Sequence, residues 1–556
     1  MTCKSVYIRG TGIISSMGSG LSATEQTLRE NRSAIKPLEL FSLVQNSPLP
    51  VGQVSSLDES SPLPRTHLLA LIAARQAIEG CSKPPDAVIL GTTTGGILTT
   101  EELLKSNEQN KNLYRHHGLN TVADVIAEEL NCSGPALVIS TACSSSSVAI
   151  AMALKMLRNG QAKTILAGAV DSLSRLTYFG FNSLQLVDPT GCKPLDQNRQ
   201  GMAVAEGAAM LLLTTEKPEN PGAELLGAGL SCDAYHAAAP HPEGQGAFTA
   251  MQKALADAGL GPDDISYINL HGTGTPDNDL AESKALRRLF PALPPLSSIK
   301  GASGHSLAAA GAIEAVVSTF ALASGLMPAN TGLQNVDPVL GLMPLVDPLE
   351  HPVKAVLSNS FGFGGNNGSL VFGQSDIFPK PVFHQRSPGL AIHGYSCMTG
   401  AGDLVSTISQ IITGSSVAKK AELETISKSL PPRLIRRLKR LPRMTLSLAT
   451  EAFQSSSFGD RKPGAVFMGT GWGALSETHD FLTRLTESKE QFPSPTDFVG
   501  SVHNGPASQV AILYGATGPN ITTSGGDYSF EQALFAAELM LDDSAGPALI
   551  LGADEG

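Results

Sequence analysis

The sequence lacks the features of a secreted, metal-binding or membrane-embedded protein. Its seven cysteines are scattered over 556 residues without a CxxC pair. This pattern fits neither a disulfide framework nor a zinc module, and it is typical of the reducing cytoplasm. The N-terminus has no apolar core behind a basic patch, and no apolar run reaches membrane-spanning length. We therefore expect a cytoplasmic protein with no signal peptide, no membrane span and no metal.

Positive charge is also scarce, because 39 Lys and Arg face 50 Asp and Glu and give a net charge of −11. This balance argues against a general nucleic-acid binder. Hydrophobic residues make up 42% of the chain, which is enough for a sizeable core. At 556 residues the chain is too long for one ordinary core, so we expect two or more domains.

The chain is organised around residues 135–160, which contain Cys143. A strand-like run at 136–139 precedes the cysteine, and a nearly all-apolar helical stretch at 148–157 follows it. The positive end of a buried helix favours a thiolate, and its free N–H groups can face an oxyanion. This position suits a nucleophile, although a buried structural cysteine fits the segment equally well.

Strands and helices alternate along residues 1–375, with glycines and polar residues at the strand ends. Two such series follow one another, which indicates a layered α/β fold with sites at the carboxyl ends of its strands. The predicted strands are 5–14, 87–91, 136–139, 163–171, 224–233 and two within 355–373, and the predicted helices include 65–79 and 245–259.

Residues 374–388 contain three prolines and interrupt the periodicity, so we place a linker at 376–388. Beyond it, residues 389–556 repeat roughly the first third of the chain. The repeat has no counterpart of the strand GAAMLLLTT, so its sheet should be one strand short. Gly525 aligns with Cys143, and therefore we expect no nucleophile in the repeat.

Further chemistry-bearing residues follow Cys143, and each taken alone is explained well enough by ordinary packing or ion pairing. They are His271 in HGTGTPDND, Lys300 and His305 in KGASGHSLAAAGAIE, Glu314 at the end of that motif, and Phe363 in NSFGFGGNNG.

Together with TACSSS and KPLDxxRxG–EGA, these motifs closely resemble the β-ketoacyl-acyl-carrier-protein synthases of the synthase I/II type and the ketosynthase subunit of type II polyketide systems. The resemblance implies a thiolase-like fold, a duplicated five-layer αβαβα arrangement, over residues 1–375. Its N-terminal half would span about 1–216 and its C-terminal half about 217–375. Residues 389–556 would form a partial, inactive thiolase-like half-domain.

The resemblance implies decarboxylative condensation of a cysteine-bound acyl chain with malonyl-acyl carrier protein, in fatty-acid or polyketide synthesis. Cys143 would carry the acyl chain, and His271 and His305 would stabilise the enolate oxygen. Lys300 would hold His305 electrostatically and pair with Glu314. No cofactor is implied beyond the phosphopantetheine that carries the substrates.

The resemblance also implies three substrate-contacting positions around the cysteine. Thr273 and Thr275 would contact the pantetheine arm of the extender. Phe363, in a mobile turn, would gate Cys143, and its N–H would form the oxyanion hole with that of Cys143.

One position departs from the family pattern. Fatty-acid elongating relatives have GSGIGG where this chain has GTTTGG, and their isoleucine, which projects toward the acyl tunnel, is Thr94 here. A smaller side chain would admit a longer or unsaturated acyl chain. Simple drift, with a neighbour filling the space, explains the substitution equally well.

Residues 389–556 resemble chain-length-factor proteins, which lack the cysteine. The alternative hypothesis is therefore a non-catalytic scaffold, against which the intact motif set of residues 1–375 argues. The expected partners are an acyl carrier protein and either a second copy or a chain-length-factor-like subunit. Relatives pair through the strand at 136–140, and the repeat carries an equivalent strand at 519–523, so docking within the chain and homodimer formation both remain open. A basic run at 431–443 fits either carrier binding or a solvated helix face.

Overall fold

The computed structural model describes residues 4–44, 47–55, 57–58, 60–379, 389–415, 420–428, 430–436, 438–541 and 546–555. We call residues 4–374 the first copy and residues 389–555 the second copy. Most of the predicted linker, residues 380–388, lies outside the described residues.

The first copy alternates strands and helices as its hydrophobic pattern predicts. Its strands are β1 (Tyr7–Ser15), β2 (Gly18–Ser19), β3 (Lys36–Pro37), β4 (Pro50–Val51), β5 (Ala87–Gly91), β6 (Ala136–Ile139), β7 (Thr164–Asp171), β8 (Gly207–Thr214), β9 (Ala223–Cys232), β10 (Tyr267–Asn269), β11 (Leu296–Ser297), β12 (Leu326–Met327), β13 (Leu349–Glu350), β14 (Ala355–Gly362) and β15 (Asn366–Gln374). Its helices are α1 (Leu21–Arg29), α2 (Arg65–Ala77), α3 (Ile97–Lys105), α4 (Asn120–Glu129), α5 (Ser145–Arg158), α6 (Arg175–Ser183), α7 (Gln245–Ala258), α8 (Pro276–Leu289), α9 (Lys300–Ser303) and α10 (Ala310–Ser324).

The second copy is shorter and repeats the order of the early elements. Its strands are β16 (Met398–Thr399), β17 (Gly402–Asp403), β18 (Ala465–Gly469), β19 (Asn520–Thr523) and β20 (Ala548–Gly552). Its helices are α11 (Leu404–Thr413), α12 (Leu423–Ser427), α13 (Pro432–Ile435), α14 (Arg440–Gln454), α15 (Leu475–Glu487), α16 (Pro495–Ser501), α17 (Gly505–Tyr514) and α18 (Ser529–Met540).

The first copy has the predicted layered arrangement. Its strands run in the order β11-β10-β14-β15-β9-β1-β8-β7-β5-β6, and the two half-sheets meet where β1 pairs with β9. Helices α5 and α10 lie between the half-sheets, while α2 with α4 and α7 with α8 cover their outer faces. The side chains of α5 are buried except Lys155, as expected for a helix that is apolar on all sides. This is the thiolase-like architecture.

Helix α10 qualifies the expectation that no apolar run is long enough to span a membrane. The stretch Leu307–Ser324 has the length and composition of a membrane span, but 83% of it is buried inside the fold. It also carries Glu314, which is engaged in a buried ion pair. The apolar character of this stretch is explained by its place between two sheets.

The second copy docks onto the first and extends its sheet. Strand β19 pairs antiparallel with β6 at Thr523 and Ile139, and the sheet continues through β18 to β20. Two backbone hydrogen bonds close this junction, from the Ser140 N–H to the Thr522 carbonyl and from the Ser524 N–H to the Val138 carbonyl. The structure thus places the second copy on the strand edge through which relatives were expected to pair.

The sheet of the second copy was expected to be one strand short of its counterpart in the first copy, but among the described residues it is two strands short. Residues 391–397, the counterpart of β1, form no strand. In the first copy β1 pairs with β8, whereas among the described residues of the second copy no strand lies beside residues 391–397. Among the described residues β20 pairs only with β18, and a groove of about 1030 Å³ lies between β20 and residues 389–396.

An aromatic contact reinforces the junction between the copies. Phe498 of α16 is buried and lies edge-on to Phe181 of α6, with ring centroids 4.9 Å apart. Gly180 faces the same ring, because a Cβ at this position would lie 2.2 Å from Cδ2 of Phe498. The packing of Phe498 from the second copy against α6 therefore requires glycine at position 180.

This contact yields a prediction for Gly180→Ala. Alanine is the better helix former by about 1 kcal/mol, so any loss of stability reports the clash with Phe498. We expect Gly180→Ala to lower the free energy of unfolding by about 1–3 kcal/mol in the wild-type background. In a Phe498→Ala background the same change should be neutral or stabilising. Urea unfolding of the four proteins measures this coupling; an equal loss in both backgrounds would contradict the docking described here.

Candidate active site

Cys143 lies on the predicted turn between a strand and a buried helix. It is the central residue of a 3-10 turn, Ala142–Ser144, between β6 and α5. Ala142 adopts a φ of +52°, a conformation that non-glycine residues rarely adopt. The Ser145 hydroxyl fixes this turn, because it accepts the Thr141 N–H at 2.9 Å and donates to the Ala142 carbonyl at 2.6 Å.

The N–H groups of Phe363 and Cys143 are directed at the sulfur of Cys143. Each of them lowers the pKa of the thiol, as does the Lys300 charge. Burial outweighs these effects and raises the pKa to about 12. Burial therefore keeps the thiol protonated in this closed conformation, in which only 6% of Cys143 is exposed, and its activation by the helix dipole stays a prediction.

His271 follows β10, and α8 holds the loop that carries it. One carboxylate oxygen of Glu282 accepts the His271 N–H at 2.9 Å, and the other accepts the Gly272 N–H at 2.9 Å. The Asn359 side chain donates to the same carboxylate at 3.1 Å. Glu282 is fully buried and was not singled out from the sequence, although it lies in the helix that directly follows HGTGT.

His305 is held by the polar loop that precedes β8. Its N–H donates to the Ala203 carbonyl at 2.8 Å, and its carbonyl accepts the Ala205 N–H at 2.9 Å. The 3-10 turn Leu307–Ala309 just beyond His305 packs against the turn that carries Cys143. The loop containing the EGA motif thus fixes His305 beside the cysteine turn.

The two imidazole rings lie edge-to-face with their centroids 5.4 Å apart. Burial lowers the pKa of both histidines well below the usual value, and the Lys300 charge lowers it further. Both rings are therefore neutral at physiological pH. A neutral imidazole is a hydrogen-bond donor that does not bring a full charge into the site.

Lys300 lies beneath His271 and is 1% exposed. Its ammonium donates to the His271 carbonyl at 2.5 Å, lies 3.4 Å from Nδ1 of His271, and forms an ion pair with Glu314. Burial raises the pKa of Glu314 to about 7 despite this partner. The contact of Lys300 is thus with His271, and its influence on His305 is through its charge alone.

Thr273 and Thr275 lie in the loop between His271 and α8. Their hydroxyls hydrogen-bond each other at 2.8 Å, and both residues are buried. The Asp279 carboxylate accepts the N–H groups of Thr273 and Gly274 at 3.1 and 3.2 Å. The HGTGT loop is therefore preorganised by acidic residues of the helix that follows it.

Thr94 has a structural partner that the sequence did not indicate. Its hydroxyl donates to the buried Asp171 carboxylate at 2.9 Å, and Thr92 and Thr93 donate to the same carboxylate. Ala308, next to the His305 segment, also donates its N–H to Asp171, at 2.9 Å. The hydroxyl of Thr94 is therefore engaged in this anchor, while the size of the acyl pocket at this position stays a prediction.

The second copy reproduces the cysteine turn without the cysteine. The Ser529 hydroxyl accepts the Gly525 N–H at 2.9 Å and donates to the Gly526 carbonyl at 2.6 Å, and Gly526 has a φ of +58°. By this geometry Gly525 corresponds to Thr141, and Asp527 occupies the position of Cys143. The alignment of Gly525 with Cys143 was wrong by two residues, but the second copy still has no cysteine at this position.

The basic run at 431–443 is not a single solvated helix face. It breaks between α13 and α14, and Lys439 at the break forms ion pairs with Asp480 and Asp497 at 2.7 and 2.8 Å. Arg443 donates to the Leu438 carbonyl. Arg436 is exposed, and Arg437 lies outside the described residues.

The chain is similar to known proteins in sequence and in fold. Models of the β-ketoacyl synthase N-terminal and C-terminal domains match residues 4–219 and 222–334, and a further N-terminal-domain model matches residues 414–556. The 3-oxoacyl-[acyl-carrier-protein] synthase 2 of Synechocystis sp. is 32% identical over 406 residues, which cover 66% of this chain and 98% of that protein.

Two solved structures extend the comparison to the fold. The ishigamide ketosynthase/chain length factor is 30% identical, with a TM-score of 0.63, over 67% of this chain and 99% of that one. The PfaC keto synthase-chain length factor matches 96% of this chain and 72% of its own with a TM-score of 0.81, and at 20% identity this likeness concerns the fold alone. The chain therefore belongs to the β-ketoacyl synthase family, with both synthase domains in its first copy and a further N-terminal domain in its second.

Proposed function

We infer that the first copy catalyses decarboxylative condensation of an acyl chain on Cys143 with a malonyl extender, both delivered by an acyl carrier protein. The observation that carries this inference is the packing of the Cys143 turn against both the Phe363 turn and the segment that follows His305, beside two imidazoles whose ring centroids lie 5.4 Å apart. Backbone N–H groups and neutral imidazoles in such an arrangement stabilise negative charge that develops on two oxygens.

In the first step the Cys143 thiolate attacks the acyl carbonyl of the carrier thioester. The oxygen of the tetrahedral intermediate accepts hydrogen bonds from the N–H groups of Cys143 and Phe363. The carrier thiolate then leaves and takes up the proton that Cys143 released. Because burial raises the pKa of Cys143, this step requires the Phe363 turn to open and admit water and substrate.

In the second step the malonyl thioester loses CO₂, and the electron pair of the broken bond forms an enolate. His271 and His305 donate N–H groups to the enolate oxygen, where charge appears only as the reaction proceeds. The enolate carbon then attacks the acyl carbonyl on Cys143 and releases the Cys143 thiolate and the β-ketoacyl carrier product. Lys300 and Glu314 hold His271 in place throughout.

The scaffold alternative, a chain-length-factor-like subunit, is disfavoured for the first copy by the same arrangement of groups. It describes the second copy better, which has Asp527 at the position of the nucleophile. We assign the second copy the role of an attached partner. By covering β6, it fills the edge at which a homodimer or a separate chain-length-factor subunit would pair.

The most direct test is mass spectrometry of Cys143 after incubation with acyl-carrier thioesters of different chain lengths. Loading on Cys143, followed by release as a β-ketoacyl product when malonyl-carrier is added, is the expected result. A preference for long or unsaturated chains would support the larger pocket predicted at Thr94. Absence of the Cys143 adduct with every thioester would contradict the proposed function.

We predict that His305→Ala slows condensation by about 10²–10³, because one donor to the enolate oxygen is lost. Loading of the acyl chain on Cys143 should remain within a few-fold of wild type, since transacylation uses the backbone N–H groups. Quenched-flow measurement of both steps separates them, with the exposed His351→Ala as the matched control. Equal loss of both steps would assign His305 a different role.

The buried thiol predicts an unusual pH dependence of alkylation. Iodoacetamide reacts with the thiolate, whose fraction rises tenfold per pH unit below the pKa. With a pKa of about 12, the rate at Cys143 should still be rising at pH 9.5, where glutathione in the same tube is levelling off. Peptide mass spectrometry follows both rates. A plateau for Cys143 at or below about pH 8.5, the ordinary pKa of a free cysteine, would show that the thiol is hydrated in solution.

A further inference from the structure

We propose that Asn504, in the second copy, is a positioning residue for the Phe363 turn that closes over Cys143 in the first. Its side-chain amide donates to the Phe363 carbonyl at 2.9 Å. The proposal rests on the function assigned above to the extent that Phe363 is a gate and an oxyanion donor. It adds that the second copy holds this gate in position.

The hydrogen bond acts on the residue whose geometry matters most for the oxyanion. The N–H of Phe363 points at the Cys143 sulfur, and the carbonyl of the same residue accepts from Asn504. Fixing the peptide groups on both sides of one residue fixes its φ and ψ. Asn504 therefore sets the direction of an N–H group that it does not itself contact.

Packing brings the gate against the same helix. A Cβ at Gly364, which has a φ of +83°, would lie 2.1 Å from the Ser508 hydroxyl and 2.7 Å from Nδ2 of Asn504. The backbone of the gate thus lies directly on the first turn of α17. The ring of Phe363 is tilted against Phe181 at 5.5 Å, and Phe181 in turn contacts Phe498 of the second copy.

An ordinary structural role does not account for Asn504. It is the N-cap residue of α17, where asparagine is favoured because its side-chain oxygen accepts a backbone N–H of the first turn. Here the side chain makes no capping hydrogen bond. Its amide faces the gate instead, and its buried Oδ1 has no partner among the described residues.

The test uses the full chain and measures the access of a small reagent to Cys143. Asn504→Ser keeps a good N-cap residue but is too short to reach the Phe363 carbonyl, and Asn504→Asp keeps the shape but as a carboxylate cannot donate, so alkylation is measured well above the pKa of the introduced acid. Gln532→Ser is the matched control, because the Gln532 amide also donates to a backbone carbonyl across the junction between the copies, that of Ala136 at 3.3 Å, which lies on β6 and not on the Phe363 turn. Thermal unfolding of all variants monitors the fold.

We expect iodoacetamide to alkylate Cys143 up to about tenfold faster in both Asn504 variants, which is the effect of losing one hydrogen bond. The control should match wild type. With acyl carriers, the Asn504 variants should load Cys143 at least as fast as wild type and condense more slowly, with kcat reduced more than KM is changed. The same alkylation rate in wild type, Asn504→Ser and Asn504→Asp would overturn the proposal.

Alkylation also separates this proposal from the proposed function, because it requires no carrier protein. If wild type fails to condense any carrier substrate while the Asn504 variants still alkylate faster, the gate is supported and the condensation is not. If wild type condenses and the Asn504 variants behave like Gln532→Ser in both assays, the condensation stands and the role of Asn504 is refuted.

Discussion

Removal of water is the constraint on which the site depends. Burial raises the pKa of Cys143 to about 12 and lowers the pKa of His271 and His305, so that the closed site holds a thiol and two neutral rings. Lys300 is tolerated there because Glu314 and the His271 carbonyl surround its ammonium. The site therefore stabilises charge that arrives with the substrate, while its buried ammonium is paired with a carboxylate and the Glu282, Asp279 and Asp171 carboxylates accept backbone N–H groups of its loops.

Much of the fold follows from the sequence, because its elements are strongly periodic and its strand ends carry glycines. Strand 87–91 and helix 245–259 lie within one residue of β5 and α7. The predicted counterpart of β1 in the second copy does not form a strand, and the reason is non-local. A strand forms only beside a partner, and no described strand of the second copy lies beside residues 391–397 as β8 lies beside β1.

The sequence predicts only those residues of the candidate site that lie within its motifs. The motifs indicate Cys143, His271 and His305, but the residues that hold them are distributed over other elements. The role of Glu282 depends on the packing of α8 against the His271 loop. The role of Asp171 depends on the pairing of β7 with β5, which places its carboxylate beside the threonines that follow β5. Neither contact can be deduced from the motifs. The correspondence of Asp527 with Cys143 needed the hydrogen bonds of both turns, because strand and helix patterns tolerate a shift of two residues.

The second copy contributes three elements to the first. Strand β19 pairs with β6, Phe498 of α16 packs against α6, and Asn504, ahead of α17, donates to the gate. All three lie within residues 414–556, which a synthase N-terminal-domain model matches. None of these contacts involves Asp527, which stands at the position of Cys143 in the second copy. The absence of a cysteine at this position therefore leaves intact the elements that extend the sheet and hold the gate.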